Sequence, residues 1–399
     1  MSRVLIVGAG LTGSLCACLL RRELADRVQI VVWEKSRGAG GRMSTSRSPS
    51  NMSCTADLGA QYITSTPYYS KIHKSFYEEL LQHDILKPLE ATMEGMMLKD
   101  EASINYVTPS GMSSIVKHYL RESGAEVFFG HHVTHVSRRG SGWEVCRKEG
   151  VPEQFDVVVL TMPVPQILQL QGDIGSLLKD SERQKLEAVS YSSRFALGLF
   201  YKAGVQISVP WAAKYISNNP CIRYIAIDDK KRNLVSDKFG PSVVVHTSVP
   251  FGLQHVEKTL EEMQPVILQE LQKLMPELPE PENIKCQKWR YSQDAPLEPE
   301  TESRLGVSFR LTAASSRGVD GCTVALQKAA GPLQTSRNAC VFFLEEGVRC
   351  TACVVLVQSG GRVKPRCRQQ KKGSLLSTLC EDSCPRDSER SWGMLLNPV

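Results

Sequence analysis

Three glycines near the start of the chain have the spacing of a dinucleotide-binding turn. Gly8, Gly10 and Gly13 follow an apolar stretch at residues 4–7, which is typical of a strand that leads into a helix. In such a turn the first glycine permits the tight bend, the second lets the backbone approach a pyrophosphate, and the third lets helix and strand pack closely. The amide groups at the helix N-terminus attract the phosphates. We therefore predict that these glycines, with Thr12 between them, bind a dinucleotide.

A carboxylate follows the second predicted strand at the position that this motif requires. The strand predicted at residues 29–33, apolar apart from Gln29, is followed by Glu34, where an acidic side chain can accept a hydrogen bond from a ribose hydroxyl. Lys35 follows directly and is included in the predicted cofactor site. A glycine-rich turn that binds no ligand is the alternative interpretation. The acidic residue in its expected place favours the binding site.

Two further segments narrow the predicted cofactor to FAD. Gly-Gly-Arg-Met at residues 40–43 follows the acidic residue, and an Asp-Leu-Gly-Ala-Gln-Tyr segment ends at Tyr62. Together they resemble the amine-oxidase-type flavoproteins. The resemblance implies that Gly41 and Arg42 lie along the FAD pyrophosphate and that Gln61 and Tyr62 lie toward the flavin. An arginine suits this role because its planar guanidinium can bond two phosphate oxygens at once.

The resemblance extends to one branch of this family, whose members oxidise dihydronicotinamides. It covers residues 1–293, and the segments that carry it are residues 12–16, 55–64, 160–165, 187–194 and 286–290. It implies that the substrates are the 2- and 6-dihydro isomers of NAD(P), which transfer a hydride to the flavin. The electrons then pass to O2, giving NAD(P)+ and hydrogen peroxide. Oxidation of amines is the rival enzymatic interpretation.

Three residues are candidates for the catalytic pocket, from the resemblance and from their place near predicted strand ends. They are Tyr215, His246 and Trp289. An aromatic-walled slot suits this reaction because two planar rings must stack with the donor carbon beside the flavin. Each candidate also has an ordinary interpretation as a core residue, and His246 lies in a valine-rich strand. The sequence contains no nucleophile motif or HExxH motif, and we predict no metal.

These patterns predict an α/β protein in which a Rossmann-type FAD-binding domain is joined to a second, mixed-sheet substrate domain. Residues 157–160 form a continuous apolar run that suits a parallel strand covered on both faces. Short strands at 126–129, 133–137 and 143–146 predict a three-stranded meander. Helices are predicted at 76–81, at 113–122 with a cap near Ser113, and along one amphipathic segment from Val256 to Leu274.

The predicted domains alternate along the chain. The predicted FAD-binding domain consists of two segments, and each is followed by a segment of the substrate domain. The last residues covered by the resemblance return to the FAD-binding domain. The limits are 1–75 and 106–165 for the FAD-binding domain, 76–105 and 166–282 for the substrate domain, 283–293 for the return, and 294–399 for a divergent tail.

The tail differs in composition from the rest of the chain. Seven of the thirteen cysteines lie there, together with a basic run at 362–372. The resemblance implies a last strand and a Gly-Asp-Gly-Phe turn that opens a flavin-covering helix, but neither is found. The nearest string, at 318–322, has the wrong spacing. We therefore expect an atypical tail that is prone to disorder, which leaves open a third interpretation, a non-catalytic binding or signalling protein.

The cysteines do not indicate a metal site or a disulfide framework. Cys350, Cys353, Cys380 and Cys384 could be drawn as zinc ligands, but their spacing lacks the expected turn context. The six earlier cysteines are scattered in apolar surroundings, as buried reduced cysteines are. The net charge of +6 is modest, and the first 290 residues show no basic and aromatic surface of the kind that binds nucleic acid.

The N-terminus allows two interpretations of location. Arg3 followed by apolar residues to Leu20 could be a signal peptide, but cleavage after Ala17 would remove all three glycines of the motif. We therefore favour the cytoplasm, with secretion of an uncleaved chain as the alternative. No apolar run is long enough for a predicted membrane span, and the sequence identifies no protein partner.

Overall fold

The computed structural model describes residues 1–96, 102–234, 236–294, 339–346, 349–357 and 395–397. Within them the strands, in chain order, are β1 Ser2–Val7, β2 Val28–Glu34, β3 Thr45–Arg47, β4 Thr55–Asp57, β5 Tyr62–Ser65, β6 Lys87–Pro88, β7 Met93–Glu94, β8 Ile104–Val107, β9 Glu126–Phe129, β10 Val133–Arg139, β11 Gly142–Arg147, β12 Glu153–Phe155, β13 Val157–Leu160, β14 Gln171–Gly172, β15 Tyr191–Phe200, β16 Ala213–Tyr215, β17 Ile222–Ile227, β18 Ser242–Thr247, β19 Asn283–Asp294, β20 Ala339–Glu346, β21 Arg349–Val357 and β22 Leu395–Asn397.

The helices of the same residues are mostly short. They are α1 Leu11–Leu24, α2 Pro67–Ile72, α3 Lys74–Gln82, α4 Ser113–Ser123, α5 Val164–Leu168, α6 Ile174–Leu177, α7 Asp180–Glu187, α8 Asp228–Lys231, α9 Val249–Gln254 and α10 Leu260–Leu274. None of these helices is long and apolar enough to cross a membrane.

A parallel sheet forms the base of the first domain. β1 lies between β13 and β2, and β9 extends the sheet beyond β2. The predicted strand at 157–160 is confirmed, and it is central because its valines bury side chains on both faces. The turns that follow β1, β2 and β13 meet at the carboxyl edge of the sheet, where ligands of such folds bind.

Helices α1 and α4 cover one face of this sheet, and a small antiparallel sheet of β10, β11 and β12 covers the other. The predicted helices at 76–81 and 113–122 are confirmed as α3 and α4. The cap differs from the prediction, because Met112 begins α4 without a side-chain cap and the amide of Ser113 donates to Thr45 Oγ1.

One predicted strand joins a different sheet. Residues 126–129 were expected in the meander, but they form β9 and pair in parallel with β2. The physical reason is the helix before them: α4 ends at Gly124, in a left-handed conformation, and returns the chain alongside β2 as a parallel crossover. β12 is the third strand of the meander instead.

The second sheet has the order β19-β15-β18-β17-β16-β7. The predicted long helix is confirmed as α10, which begins one turn after Val256 because Thr259 and Glu262 form a capping box. Its apolar residues Met263, Ile267 and Leu271 cover the outer face of the sheet. The inner face packs on β4 and the turn after it, in the first domain.

Two segments contact both domains. Within residues 76–105, α3 packs into the core of the first domain whereas β7 pairs with β16 of the second sheet. Residues 283–293, expected to return to the FAD-binding domain, pair with β15 as the edge strand of the second sheet. The exact domain limits therefore stay a prediction.

The tail contributes strands that sequence reasoning did not anticipate. β21 pairs antiparallel with β13, β20 pairs with β21, and β22 pairs with β5. The expectation of no further strand is therefore wrong for these residues. Residues 354–357 are valine and leucine, and valine has a high β-propensity. They resemble the run at 157–160, which explains their place in the sheet. Residues 318–322, Cys380 and Cys384 lie outside the described residues, as does most of the segment expected to be disordered.

Candidate active site

A cleft of about 1140 Å³ lies between the carboxyl edge of the first sheet and the inner face of the second. Its charged lining is almost entirely basic. Among the described residues the one acidic side chain in the lining is Glu34, and the basic ones are Lys35, Arg37, Arg42, Arg47, Lys117, Arg194, Lys285, Lys288 and Arg290. Such a lining attracts anions.

The three glycines of the N-terminal motif lie in a strand–turn–helix unit at the edge of the cleft. Gly8 has a φ of +114°, and a Cβ there would lie 2.6 Å from Thr161 Oγ1. A Cβ at Gly13 would lie 2.0 Å from the carbonyl oxygen of Gly8, so only glycine lets α1 approach the turn this closely. A Cβ at Gly10 would meet no protein atom within 4 Å, because that position faces the open cleft.

The start of α1 is free to receive an anion. Gly10 is its N-cap, no side chain caps it, and its first turn contains no acidic residue. Thr12 lies in this turn and lines the cleft. The helix is 14 residues long and its N-terminal amides carry a partial positive charge. The Gly10 backbone, Thr12 and the helix N-terminus therefore form a cradle that fits a pyrophosphate.

Glu34 holds the cradle in shape. It is 8% exposed, and its two carboxylate oxygens accept from the amides of Ala9 and Ser36, both at 2.8 Å. Carboxylate oxygens have further lone pairs, so the predicted ribose contact remains compatible with these bonds. Lys35 lies exposed beside it on the lining of the cleft.

The two segments that carry the family resemblance meet at one point. The amide of Ala60 donates to the carbonyl of Arg42 at 2.9 Å. A Cβ at Gly59 would lie 2.0 Å from that carbonyl oxygen, so glycine is required for the approach. Gly41 has a φ of +54° and is packed near the Cα of Gly10. The structure thus brings Gly41 and Arg42 to the glycine cradle, as the resemblance implies.

One row of side chains crosses the inner face of the second sheet, which packs on the first domain. Strand register places Gln287, Ala196, His246, Tyr224 and Tyr215 directly opposite one another across five strands. Gln287 and His246 line the cleft, whereas Tyr224 is fully buried. Two predicted catalytic residues, His246 and Tyr215, therefore lie on one row but at different depths.

Strand β19 brings the third catalytic candidate to the cleft. Trp289, Gln287 and Lys285 share one face of this strand because side chains alternate along it. The indole Nε1 of Trp289 donates to the carbonyl of Leu58 at 2.7 Å, which fixes the ring beside the turn that contains Gly59. Sequence reasoning missed Lys285 and Gln287, although the two-residue alternation from Trp289 could have found them.

Four predicted site residues lie beneath the lining of the cleft rather than on it: Gly13, Gln61, Tyr62 and Tyr215. The hydroxyl groups of Tyr62 and Tyr215 are hydrogen-bonded to each other. Burial, with the neighbouring phenol, raises the pKa of Tyr62 far above its usual range, and burial also raises the pKa of Tyr215. Both phenols therefore stay protonated and support the cleft as neutral groups.

A buried group of charges lies below the cleft. Asp57, Asp228, Lys231 and Arg232 are all at most 4% exposed. Asp228 pairs with Lys231 Nζ at 2.7 Å and also with Arg232. Burial opposes the charge on Asp228, but the two cations outweigh it and hold its pKa below the usual value. Burial and the nearby Asp228 raise the pKa of Asp57.

The residues present fit FAD. The pyrophosphate cradle, the Glu34 carboxylate and Arg42 lie at one end of the cleft, and the turn at Gly59 with Trp289 lies where the flavin is expected. The open space at Gly10, where an added Cβ would meet no protein atom within 4 Å, is the observation that carries this fit, because it lets a pyrophosphate approach the backbone at the start of α1.

Comparisons with known proteins agree with this site. Residues 6–80 match the NAD(P)-binding Rossmann-like domain, and residues 86–296 match the flavin containing amine oxidoreductase family. Renalase from Mus musculus is 55% identical over 293 residues, which are 73% of this chain and 85% of renalase.

Solved structures show the same fold at low sequence identity. A putative protoporphyrinogen oxidase from Exiguobacterium sp. 255-15 is 15% identical with a TM-score of 0.56, over 74% of this chain and 87% of that chain. Putrescine oxidase bound to putrescine is 15% identical with a TM-score of 0.51, over 72% and 85%. The protein is therefore a member of the flavin-containing amine oxidoreductase family, an FAD-dependent oxidoreductase related to renalase.

Proposed function

We propose that this protein oxidises the 2- and 6-dihydro isomers of NAD(P) to NAD(P)+ and reduces O2 to hydrogen peroxide. One proton from solvent completes the balance, since each turnover moves a hydride from the donor ring and adds two protons and two electrons to O2. When bound, FAD supplies the hydride acceptor whose electrons pass on to O2.

The basic lining of the cleft is the observation that carries this proposal. Nine cationic side chains line the cleft beside one carboxylate. Two of them are engaged elsewhere, because Arg290 pairs with Glu257 and Lys288 donates to the carbonyls of Val256 and Lys258. The other seven are still more positive charge than the FAD pyrophosphate needs. A dihydro-NAD(P) molecule brings a second pyrophosphate, and arginine and lysine are the side chains that bind phosphate oxygens best. A protonated amine would instead be repelled by this lining, so the charge argues against an amine substrate.

The chain's own residues bind and orient in this proposal. Lys285 extends from the face of β19 that also carries Trp289, and its Nζ donates to Ser46 Oγ at 2.9 Å. Burial, together with the nearby Arg37, lowers the pKa of Lys285, as expected of a cation without a carboxylate beside it. We assign Trp289 to the wall of the ring slot, His246 to its floor, and Lys285 to substrate phosphates. Tyr215 supports the floor through Tyr224.

The test is anaerobic mixing of the purified holoprotein with 6-dihydro-NAD, 2-dihydro-NAD or putrescine. We expect rapid bleaching of the flavin by both dihydro isomers and none by the amine, followed by peroxide formation when O2 is admitted. Bleaching by putrescine without reaction of the dihydro isomers would replace the proposal with an amine oxidase.

A non-catalytic binding protein is the second candidate, and one observation favours it. The match to renalase covers 293 of the 399 residues, and the family match ends at residue 296, so the tail lies outside the family match. Flavin absorbance of the purified full chain separates the two. Stoichiometric flavin supports the enzyme, whereas a stable, flavin-free chain supports the binding protein.

We also propose that the protein is cytoplasmic. β1 and α1 are the central strand and first helix of the FAD-binding domain, so removal of this segment as a signal peptide would destroy the cradle. The six cysteines before residue 294 form no disulfide: Cys16, Cys18, Cys54, Cys146, Cys221 and Cys286. Fractionation with mass spectrometry of the N-terminus tests this, and an uncleaved chain in the medium would favour secretion.

A further inference from the structure

One turn of the first domain supports the ring of Trp289. The indole Nε1 of Trp289 donates to the carbonyl of Leu58 at 2.7 Å. A Cβ at Gly59 would lie 3.4 Å from Cζ2 of the same ring, so the ring packs directly on this glycine. We call residues 57–61 the slot turn. Its shape determines where the aromatic wall of the proposed ring slot lies.

The side chain of Gln61 closes the slot turn from within. Its nitrogen Nε2 donates to the carbonyl of Asp57 and, at 3.0 Å, to the carbonyl of Gly59. These two carbonyls flank Leu58, whose own carbonyl accepts from Trp289. Gln61 is 1% exposed, so water cannot readily replace its bonds. One buried amide therefore fixes the backbone on both sides of the carbonyl that anchors the indole.

Lys231 of the second domain fixes the orientation of this amide. Its Nζ donates to Gln61 Oε1 at 2.8 Å, and the side chain is 1% exposed. An ammonium group can only donate hydrogen bonds and a backbone carbonyl can only accept them. A flipped amide would turn its NH2 group toward the ammonium and its oxygen toward two carbonyl oxygens. Only the observed orientation therefore closes the slot turn.

The other buried charges hold Lys231 and the start of the slot turn. Asp228 Oδ1 pairs with Lys231 Nζ at 2.7 Å, and its Oδ2 accepts from the amide of Asp57 at 3.2 Å. Arg232 pairs with Asp228 and donates to the carbonyl of Thr55 at 2.9 Å. Paired buried charges have few alternative arrangements, because moving one leaves the other uncompensated. The second domain therefore holds the slot turn at its first and last residues.

We infer that Gln61 and Lys231 are positioning residues that hold Trp289 at the wall of the ring slot through the slot turn. The inference rests on the proposed function for its purpose. Hydride transfer needs the donor carbon close to its acceptor, and a misplacement of about 1 Å can cost on the order of a hundredfold in rate. A wall that is fixed before the substrate binds meets this requirement.

The direct test is hydrogen exchange of the tryptophan indoles in flavin-saturated holoprotein labelled with 15N-tryptophan. The chain has five tryptophans, and a Trp289→Phe variant assigns the signal of Trp289. Gln61→Met keeps the length of the side chain but has no donor. In this variant we expect the Trp289 indole hydrogen to exchange about tenfold faster, which corresponds to the loss of one hydrogen bond. The fully buried indole of Trp143, which lies in another core cluster, should keep its rate.

Three results of this experiment would overturn the inference. They are an unprotected Trp289 indole in the wild type, equal exchange of Trp289 in Gln61→Met and wild type, and equal acceleration of Trp289 and Trp143. Gln61→Asn, whose amide is one methylene too short to reach both carbonyls, gives the same test if Gln61→Met does not fold. Gln184→Met, at an exposed position of α7, is the control and should change neither signal.

A double-mutant cycle tests whether the effect on the rate passes through Trp289. Trp289→Phe keeps an aromatic ring but loses the bond to Leu58. We expect Gln61→Met and Trp289→Phe each to slow anaerobic flavin bleaching at saturating 6-dihydro-NAD by about tenfold. The double variant should be no slower than the slower single variant, because both changes remove the same support. Losses that multiply would show that Gln61 acts elsewhere and would overturn the inference.

The two proposals fail in different ways. If Trp289 loses protection in Gln61→Met but no dihydronicotinamide bleaches the wild-type flavin, the proposed function is wrong and the positioning of Trp289 stands. If the dihydro isomers react and Trp289 keeps its protection in Gln61→Met, the inference is wrong and the proposed function stands.

Discussion

Substitution of two glycines that lie three residues apart should separate cofactor binding from folding. A Cβ at Gly10 would project into open space, whereas a Cβ at Gly13 would lie 2.0 Å from the carbonyl oxygen of Gly8. The φ of Gly10 is −89° and its ψ is −170°, an extended conformation that valine adopts easily. Gly10→Val therefore leaves the fold nearly intact and places two methyl groups in the pyrophosphate cradle.

The magnitudes follow from these contacts. For Gly10→Val we expect a loss of stability below about 1 kcal/mol from the poorer N-cap, with flavin content falling to a small fraction of wild type. For Gly13→Ala, a Cβ 2.0 Å from a backbone oxygen requires the upper end of the overpacking range of about 1–3 kcal/mol, and the better helix propensity of alanine offsets about 1 kcal/mol. A net loss of up to about 2 kcal/mol corresponds to a fall in Tm of roughly 4–8 °C.

The assay is the ratio of flavin to protein absorbance after gel filtration, with Tm measured on the same samples and on apoprotein. Comparison of the apoproteins removes the stabilisation that bound flavin contributes. Gly10→Val protein that retains wild-type flavin content would refute the placement of the pyrophosphate. Gly13→Ala apoprotein as stable as wild-type apoprotein would refute the argument from close helix packing.

Three further predictions concern charged residues. Lys285→Gln should raise KM for 6-dihydro-NAD by about tenfold, because one charge-assisted hydrogen bond is lost, and should change flavin content little. Lys273→Gln, at an exposed position of α10, is the control. Equal KM values for the two variants would show that Lys285 does not bind the substrate. Lys231→Met should lower the free energy of unfolding by roughly 3–5 kcal/mol in urea titrations, because it leaves buried Asp228 with one cation. A loss below about 1 kcal/mol would contradict the burial of this pair. The folded-state pKa of Asp228 is lowered, so the stabilisation by this carboxylate is present above the unfolded-state pKa of about 3.9 and is lost as the pH falls through the folded-state pKa. Asp228→Asn should therefore lower the free energy of unfolding most near neutral pH and less in acid. An equal loss at both pH values would show that Asp228 is uncharged in the folded protein.

Local sequence patterns determined the cofactor site and the elements that hold it. The apolar run before Gly8 and the acidic end of β2 require no knowledge of distant segments, because the motif is built from one strand, one turn and one helix. The same holds for α10, whose start is set by Thr259 and Glu262. The spacing of Gly8 and Gly13 could be interpreted because the close approach of Gly13 to the Gly8 carbonyl lies within the motif itself, whereas the contact of Gly8 with Thr161 joins distant segments.

Contacts between distant segments were decided by the tertiary structure alone. Residues 228–232 form a run of charges that would normally be solvated, yet Asp228 and Lys231 are buried because they meet each other and Gln61, 170 residues away from Lys231. The pairing of β9 with β2 depended on where α4 returned the chain, and the pairing of β21 with β13 joined segments almost 200 residues apart. Periodicity indicates which face of an element is buried, but not which element covers it. Partner choice depends on the free energy of the whole core, and the environment of His246 follows from that choice.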